Sequence, residues 1–430
     1  CVREVLKVLP LKPGDVAITN HPAYGGSHLP DVTLIKPVYN KHKLIGFVAV
    51  RAHHAEIGGM KPGSMPAHAS TLAEEGIIIK PMYLVKAGKP QWSKIREVLT
   101  SGPYPTRLPE ENLADLNGAL AAITLGEKGL MELSRQHSNR ETTFYMKALR
   151  AYAATLLHQQ LKLSRSKVFQ ATEKLDDGSV LRVHIMIKPA QLWIDFTGTS
   201  PVHAGNLNAT PAIVQSVILY VLRLWVNKPI AMNEGLMDPV KIILPVGMLN
   251  PEFTGSNLPA VVGGNTEVSQ RLTDTLLKAL GLVACSQGTM NNFLFGNERF
   301  GFYETICGGT GAGSGFNGTD AVHSHMTNTR ITDPEILELR YPVRLDRFEI
   351  RRGSGGWGRW KGGNGVIRAV TFKEKVEVNL LCQHRTVPPY GLAGGAPGAC
   401  GEQQLIRSGG SSIPLSGMTS IEAQPGDQVV

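Results

Sequence analysis

The spacing of apolar positions changes several times along the 430 residues, and each change predicts a change of element. Val2 to Leu9 read as a helix, and Lys12-Pro13-Gly14-Asp15 predicts a turn that delivers a short strand, Val16 to Thr19. Val32 to Tyr39 and Leu44 to Val50 are mostly apolar runs of strand length. The polar Asn40-Lys41-His42-Lys43 between them completes the pattern of a hairpin. Ile77 to Ile79 reads as a further strand. Residues 110–163 read as helical, with a capping box at Ser138-Asn139-Arg140-Glu141. Phe144, Ala148, Tyr152 and Leu156 follow at helical spacing and predict a core-facing stripe, with His137 and His158 as structural or surface residues. From Asp177 the period becomes two. Leu181, Val183, Ile185 and Ile187, then Gln191 to Phe196, predict antiparallel strands around Lys188-Pro189-Ala190, ending in the turn Asp195 to Pro201. Pro211 to Val226 and Val268 to Leu280 read as helices, and beyond Tyr341 the chain is rich in glycine and strand-forming residues. The expected fold class is α+β, mixed and multi-domain. A β-rich hairpin domain spans 1–109, a helical segment 110–175, a central α/β part 176–340, and a β-rich closing domain 341–430.

Composition narrows the function classes. Hydrophobic residues make up 42% and charged residues 18%, and no run reaches the ~18 apolar residues of a membrane span. The longest candidate, Ala212 to Val226, is interrupted by Gln215, Ser216 and Arg223. The five cysteines are scattered without CxxC spacing, which predicts reduced thiols and a cytoplasmic setting. Formal net charge is +9, but the densest basic stretch, Arg340 to Arg352, is broken by Asp346 and Glu349. Nucleic acid requires a continuous basic face. An anionic small ligand or an acidic partner surface accounts for the excess instead. The residues given open inside a helix and stop within a strand, as a segment of a longer polypeptide would.

The candidate chemistry lies at the hairpin. NHPAYGGSHLPD places His28 and Asp31 three residues apart at its entry, and RAHHAEIGG returns His53, His54 and Glu56 at its exit. A hairpin brings its two ends together, so His28, Asp31 and His53 are expected at one rim. Imidazole and carboxylate without thiolate are ligands for Mn²⁺, Zn²⁺ or Fe²⁺, with Mg²⁺ a further option. The alternative is a pair of half-buried loop histidines bonded to backbone. Gly263-Gly264-Asn265 ahead of a helix either presents N–H groups to an anion or serves as ordinary capping. Gly308 and Gly309, in CGGTGAGSGFNG, precede His323, His325 and Arg330. That grouping predicts backbone lying close to a ligand's phosphate or carboxylate. It is not a Walker A loop, because no Gly-Lys-Ser/Thr closes it. Glu75 reads as a solvated carboxylate.

Taken together, NHPAYGGSHLPD, RAHHAEIGGMKPGSMP, DFTGTSP, GNLNA, VVGGN, SQGTMNN and VHSHMTNTRITDPEILELRYPV resemble the hydantoinase B / 5-oxoprolinase family. The resemblance runs from Gly14 nearly to Val430 and is nearest to ATP-dependent 5-oxoprolinases. It implies a hydrolytic B-type portion that opens the phosphorylated lactam of 5-oxo-L-proline to L-glutamate. ATP then enters through a hydantoinase A-type ATPase subunit or domain, since no phosphate-binding signature lies in this chain. The acetone carboxylase α subunit implies a His-x-x-Asp plus a later His as ligands to one manganese, which maps to His28, Asp31 and His53. Glu56 or His54 is then the general base or the group that orients the ligands. The resemblance also admits an N-substituted hydantoinase, a caprolactamase-type hydrolase, a ketone carboxylase or a non-catalytic partner of the ATPase. A lactam substrate, a hetero- or homo-oligomer, no nucleic acid and no membrane complete the expectation.

Overall fold

The computed structural model describes residues 1–164, 168–188, 190–327 and 329–430. The first part is built on a sheet of order β3-β2-β1-β4-β5, made of β1 (Val16–Thr19), β2 (Asp31–Asn40), β3 (Lys43–His53), β4 (Met82–Lys86) and β5 (Lys89–Pro90). α1 (Val2–Val8) precedes it, and α2 (Leu72–Glu75) and α3 (Trp92–Leu99) flank β4 and β5 in sequence. The hairpin β2–β3 turns at Lys41, whose φ of 55° is left-handed. Asp31 and His53 are opposite one another in the ladder. Ile77 to Ile79 is extended but belongs to no strand. The Ile77 carbonyl and the Ile79 N–H bond to the side chain of Asn20, and the Ile79 carbonyl accepts the Asn20 N–H and the Thr19 hydroxyl. The inner face of this sheet packs Val16, Ile18, Val32 and Leu34 against Leu116 and Ile123 of the next helix.

That helix, α4 (Pro109–Leu163), is two helices meeting at Ser138, whose φ of 65° is not helical. The Ser138 hydroxyl accepts the Glu141 N–H at 3.2 Å, which caps the second helix. Of the expected stripe only Leu156 joins the core: Phe144 is 62% and Tyr152 55% exposed. The buried side is Leu156 with Ala153, Leu157 and Leu161 near the C-terminal end. These four pack on α5 (Pro211–Val226), α6 (Ser269–Ala279) and a second sheet. That sheet has the order β6-β7-β8-β9, made of β6 (Val168–Lys174), β7 (Val180–Lys188), β8 (Gln191–Asp195) and β9 (Val240–Ile243). The predicted turn between β7 and β8 includes Pro189, which lies outside the described residues. A π-helical turn, Gly264–Val268, runs into α6, so this helix starts ahead of its expected position.

The remaining strands form two sheets that share one core. β10 (Asn292–Gly296) and β11 (Gly301–Thr305) pair with β14 (Val376–Leu381) and β17 (Met418–Ala423), in the order β11-β10-β14-β17. After α7 (Pro334–Arg340), β12 (Val343–Arg351), β13 (Gly365–Phe372), β15 (Gln404–Ile406), β16 (Ser412–Pro414) and β18 (Gln428–Val429) form the order β12-β13-β18-β15-β16. Phe293, Phe295, Phe302 and Val378 meet Val370, Phe372 and Val429 between them. Alternation along β10 turns Leu294 the other way, onto Met65 and Val262. The first sheet's connecting loop thereby abuts the outer face of the closing sandwich. Among the described residues, no helix is long and apolar enough to cross a membrane.

Candidate metal centre

The site is assembled from a loop and a ladder. The loop before β2 is pinned by Asn20, whose side-chain amide donates to the Leu29 and Ile77 carbonyls at 2.8 Å each. This fixes His28 at the mouth of the hairpin. Asp31 opens β2 and His53 closes β3, so antiparallel register sets them side by side. One ligand atom from each of His28, Asp31 and His53 lies within 4.8 Å of the others. His28 Nδ1 is 3.4 Å from Asp31 Oδ2 and His53 Nδ1 is 3.2 Å from Asp31 Oδ1. The Ser27 hydroxyl donates to Asp31 Oδ2 at 2.6 Å.

The protonation states suit coordination. Burial holds His28 below the ordinary imidazole pKa, so it is neutral with a lone pair free near pH 7. Burial opposes ionisation of Asp31, but the two histidines and their hydrogen bonds outweigh it and keep its pKa well below the usual range. A neutral imidazole and an ionised carboxylate are the forms that bind a cation. The donor set and its convergence therefore fit a divalent metal.

The two residues that follow the triad point elsewhere. His54 is buried, with Nδ1 3.2 Å from Asn112 Nδ2 and 3.7 Å from Asp115 Oδ2 on α4. Its backbone N–H donates to the Pro30 carbonyl at 2.9 Å, closing the rim. Glu56 accepts from the Gly58 N–H, the Thr106 hydroxyl, the Arg107 N–H and Arg107 Nη1, all at 2.6–3.0 Å. A carboxylate with four donors has no spare capacity to take a proton from substrate. Both residues hold the exit strand in place, and neither sits among the ligand atoms.

The expected anion-binding groups do not join the triad. The Gly264 and Asn265 N–H groups bond to the Val261 carbonyl, and Gly263 and Gly264 are small because the segment 206–209 crosses them. A Cβ on Gly264 would lie 1.9 Å from the Asn208 carbonyl oxygen. The free N–H groups at this helix start belong to Val261 and Val262, and the Glu75 carboxylate takes both at 2.9–3.0 Å. Glu75 is therefore an internal cap rather than a solvated acid. Gly308 and Gly309 line a cavity of about 1340 Å³ at the glycine-rich loops, to which none of the triad contributes. Gly309 is closest to the Gly363 carbonyl, so its close approach is to the protein's own backbone. His325 is 3.2 Å from Asp274 Oδ1 and from the Tyr220 hydroxyl, inside the central layer. His323 is half-buried and Arg330 exposed, and Asn328 between them lies outside the described residues.

Sequence reasoning missed Ser27, Arg51 and Tyr303. Arg51 donates to Thr33 and to the Gly25 carbonyl, and its charge acts on Asp31 and His28. Its place two residues before His53 was the available signal. Tyr303 comes from β11 and had none.

The Hydantoinase B/oxoprolinase family model matches residues 1–430. The chain belongs to that family. Within the hydantoinase B/oxoprolinase family it is 42% identical to 5-oxoprolinase 1 of Arabidopsis thaliana, over 97% of this chain and 35% of that protein. It is 43% identical to the 5-oxoprolinase of Saccharomyces cerevisiae, over 98% of this chain and 35% of that protein. It thus spans about a third of the length of these relatives. Two solved structures share the fold across the whole chain. They are an ATP-dependent caprolactamase from Pseudomonas jessenii (TM-score 0.83, 22% identity, 77% of that chain) and a nucleotide-free acetone carboxylase (TM-score 0.86, 16% identity, 65% of that chain).

Proposed function

We propose that this chain is the hydrolytic portion of an ATP-dependent 5-oxoprolinase, opening the phosphorylated lactam of 5-oxo-L-proline with water to L-glutamate and inorganic phosphate. The convergence of the His28, Asp31 and His53 ligand atoms within 4.8 Å carries the reading. The names of the relatives, 5-oxoprolinase at 42% and 43% identity, support this substrate over caprolactam, hydantoins or a ketone. His28, Asp31 and His53 would hold a divalent ion, which would supply Lewis acidity for activating water and for offsetting negative charge at the reacting carbon. The chain's own residues hold and orient. Ser27 and the two imidazoles keep the Asp31 carboxylate ionised and in position, Asn20 fixes the entry loop, and His54 and Glu56 fix the exit. ATP is used by an A-type ATPase portion in the remaining two thirds of the longer polypeptide or in a separate subunit, and the site works in the cytoplasm on a small lactam. Metal analysis and lactam-dependent glutamate formation in the presence of the A-type portion test the proposal. Wild type is expected to retain a divalent ion that His28→Ala and His53→Ala lose together with turnover. Full metal content and turnover in both variants would refute it.

A further inference from the structure

The three ligands are held unequally. His28 is locked by burial, with 2% of its side chain accessible, and Asp31 is tied by Ser27. His53 ends its strand with 32% of its side chain accessible, and ladder register positions its backbone but not its ring. Its ring nevertheless lies in a stack. It is 5.2 Å from the His28 ring at an interplanar angle of 30°, and 5.4 Å from the Tyr303 ring at 33°. Tyr303 is on β11 opposite Leu294, on the face of that sheet turned away from the sandwich core.

The phenol is itself fixed. Its hydroxyl donates to Asn292 Oδ1 at 2.9 Å. The Asn292 amide cannot flip, because its Nδ2 donates both to the Leu381 carbonyl at 2.6 Å and to Glu267 Oε1 at 2.7 Å. Reversing it would set oxygen against two acceptors. Glu267 is fully buried in the π-turn before α6, where it also accepts the Met290 N–H at 3.1 Å and the Thr289 hydroxyl. A chain of side chains from the sandwich therefore ends on the His53 ring.

We propose that Tyr303, braced by Asn292 and Glu267, is a positioning residue of the metal centre that sets the His53 ring plane for coordination. This rests on the reading that the triad holds a divalent ion. Removal of groups that orient metal ligands weakens binding by about 10–100-fold, and the flat ring, rather than the hydroxyl, makes the contact here.

Co²⁺ serves as the probe, titrated into the metal-stripped full-length protein. Affinity is read by chelator competition, geometry by the d–d absorption envelope, and fold by the urea midpoint of the apo form. Tyr303→Leu is expected to weaken Co²⁺ about ten-fold or more and to alter the envelope at an unchanged midpoint. Tyr303→Phe, which keeps the ring, should stay within a few-fold of wild type. Tyr303→Met, preserving bulk without a flat ring, carries the same expectation as leucine should the leucine variant not fold. Wild-type affinity and envelope in the leucine or methionine variant, with binding still abolished by His28→Ala, overturns this inference alone. A wild-type protein that takes no Co²⁺ overturns the metal reading and this inference with it.

Discussion

Glu75 offers a measurement in which two physical effects pull in opposite directions. Its carboxylate is fully buried and accepts the Val261 and Val262 N–H groups. Those bonds and the helix start favour the anion, yet burial wins and pushes the pKa from 4.5 up to about 8. A carboxyl whose pKa is raised on folding contributes stability that is fully present below about pH 4.5 and is lost as pH rises through about 8. The full swing corresponds to about 5 kcal/mol, at 1.36 kcal/mol per pKa unit. Glu75→Gln keeps an oxygen for both N–H groups, since Oε1 alone accepts from each at 2.9 Å. It should therefore match wild type within about 1 kcal/mol near pH 5. It should become the more stable protein by several kcal/mol toward pH 9. Glu75→Ala strands two buried donors at ~1–3 kcal/mol each and is destabilised at pH 5 by about 2–6 kcal/mol. Urea unfolding of the three proteins between pH 5 and 9 measures these differences. A glutamine variant destabilised as much as alanine at every pH would mean that the ionised cap dominates, and the argument from burial would be wrong.

Smaller perturbations test other parts of the structure. Asp31→Asn, which removes the charge shared by His28 and His53, should lower divalent-ion content by at least ten-fold on metal analysis while leaving the hairpin folded by circular dichroism. Gly264→Ala places a methyl 1.9 Å from a backbone oxygen and should cost more than 2 kcal/mol in denaturant unfolding. Gly118→Ala, in α4 with open space around it, should instead stabilise by about 0.5–1 kcal/mol. Leu157→Ala should cost about 2–5 kcal/mol, whereas Phe144→Ser on the exposed side of the same helix should stay within about 0.5 kcal/mol in the same assay.

What the sequence reveals depends on how far apart the interacting residues are. The hairpin was legible because its strand period, its turn and its ligands lie within one short stretch, and antiparallel register then leaves little freedom in where Asp31 and His53 meet. The helix Pro211–Val226 was legible because it is apolar enough to have only one environment. The Phe144 stripe misled because spacing identifies a face without saying what covers it. Only its last member, Leu156, packs on the neighbouring helices and sheet, together with Ala153, Leu157 and Leu161. Glu75 looks solvated beside Glu74 in sequence, and its partners lie 186 and 187 residues away. Tyr303 reaches His53 from the far side of the chain, across a contact that no local pattern encodes. The glycines near residue 308 were read as backbone close to a ligand's phosphate or carboxylate, whereas a Cβ on Gly309 would meet the Gly363 carbonyl and one on Gly308 the Gln287 side chain.

The cap that Glu75 places on the Val261–Val262 helix start has a consequence for how the protein is made. The ribbon bearing the ligands is a local structure and can form soon after it is synthesised. Its adjoining loop keeps an unsealed carboxyl until nearly two hundred further residues have been added, a delay of roughly 10–40 s at ordinary elongation rates. During that interval the nascent chain carries His28, Asp31 and His53 on an element still open to water. Under the proposed metal reading, loading and closure of the interior are then separable events, the second waiting until the later helix docks.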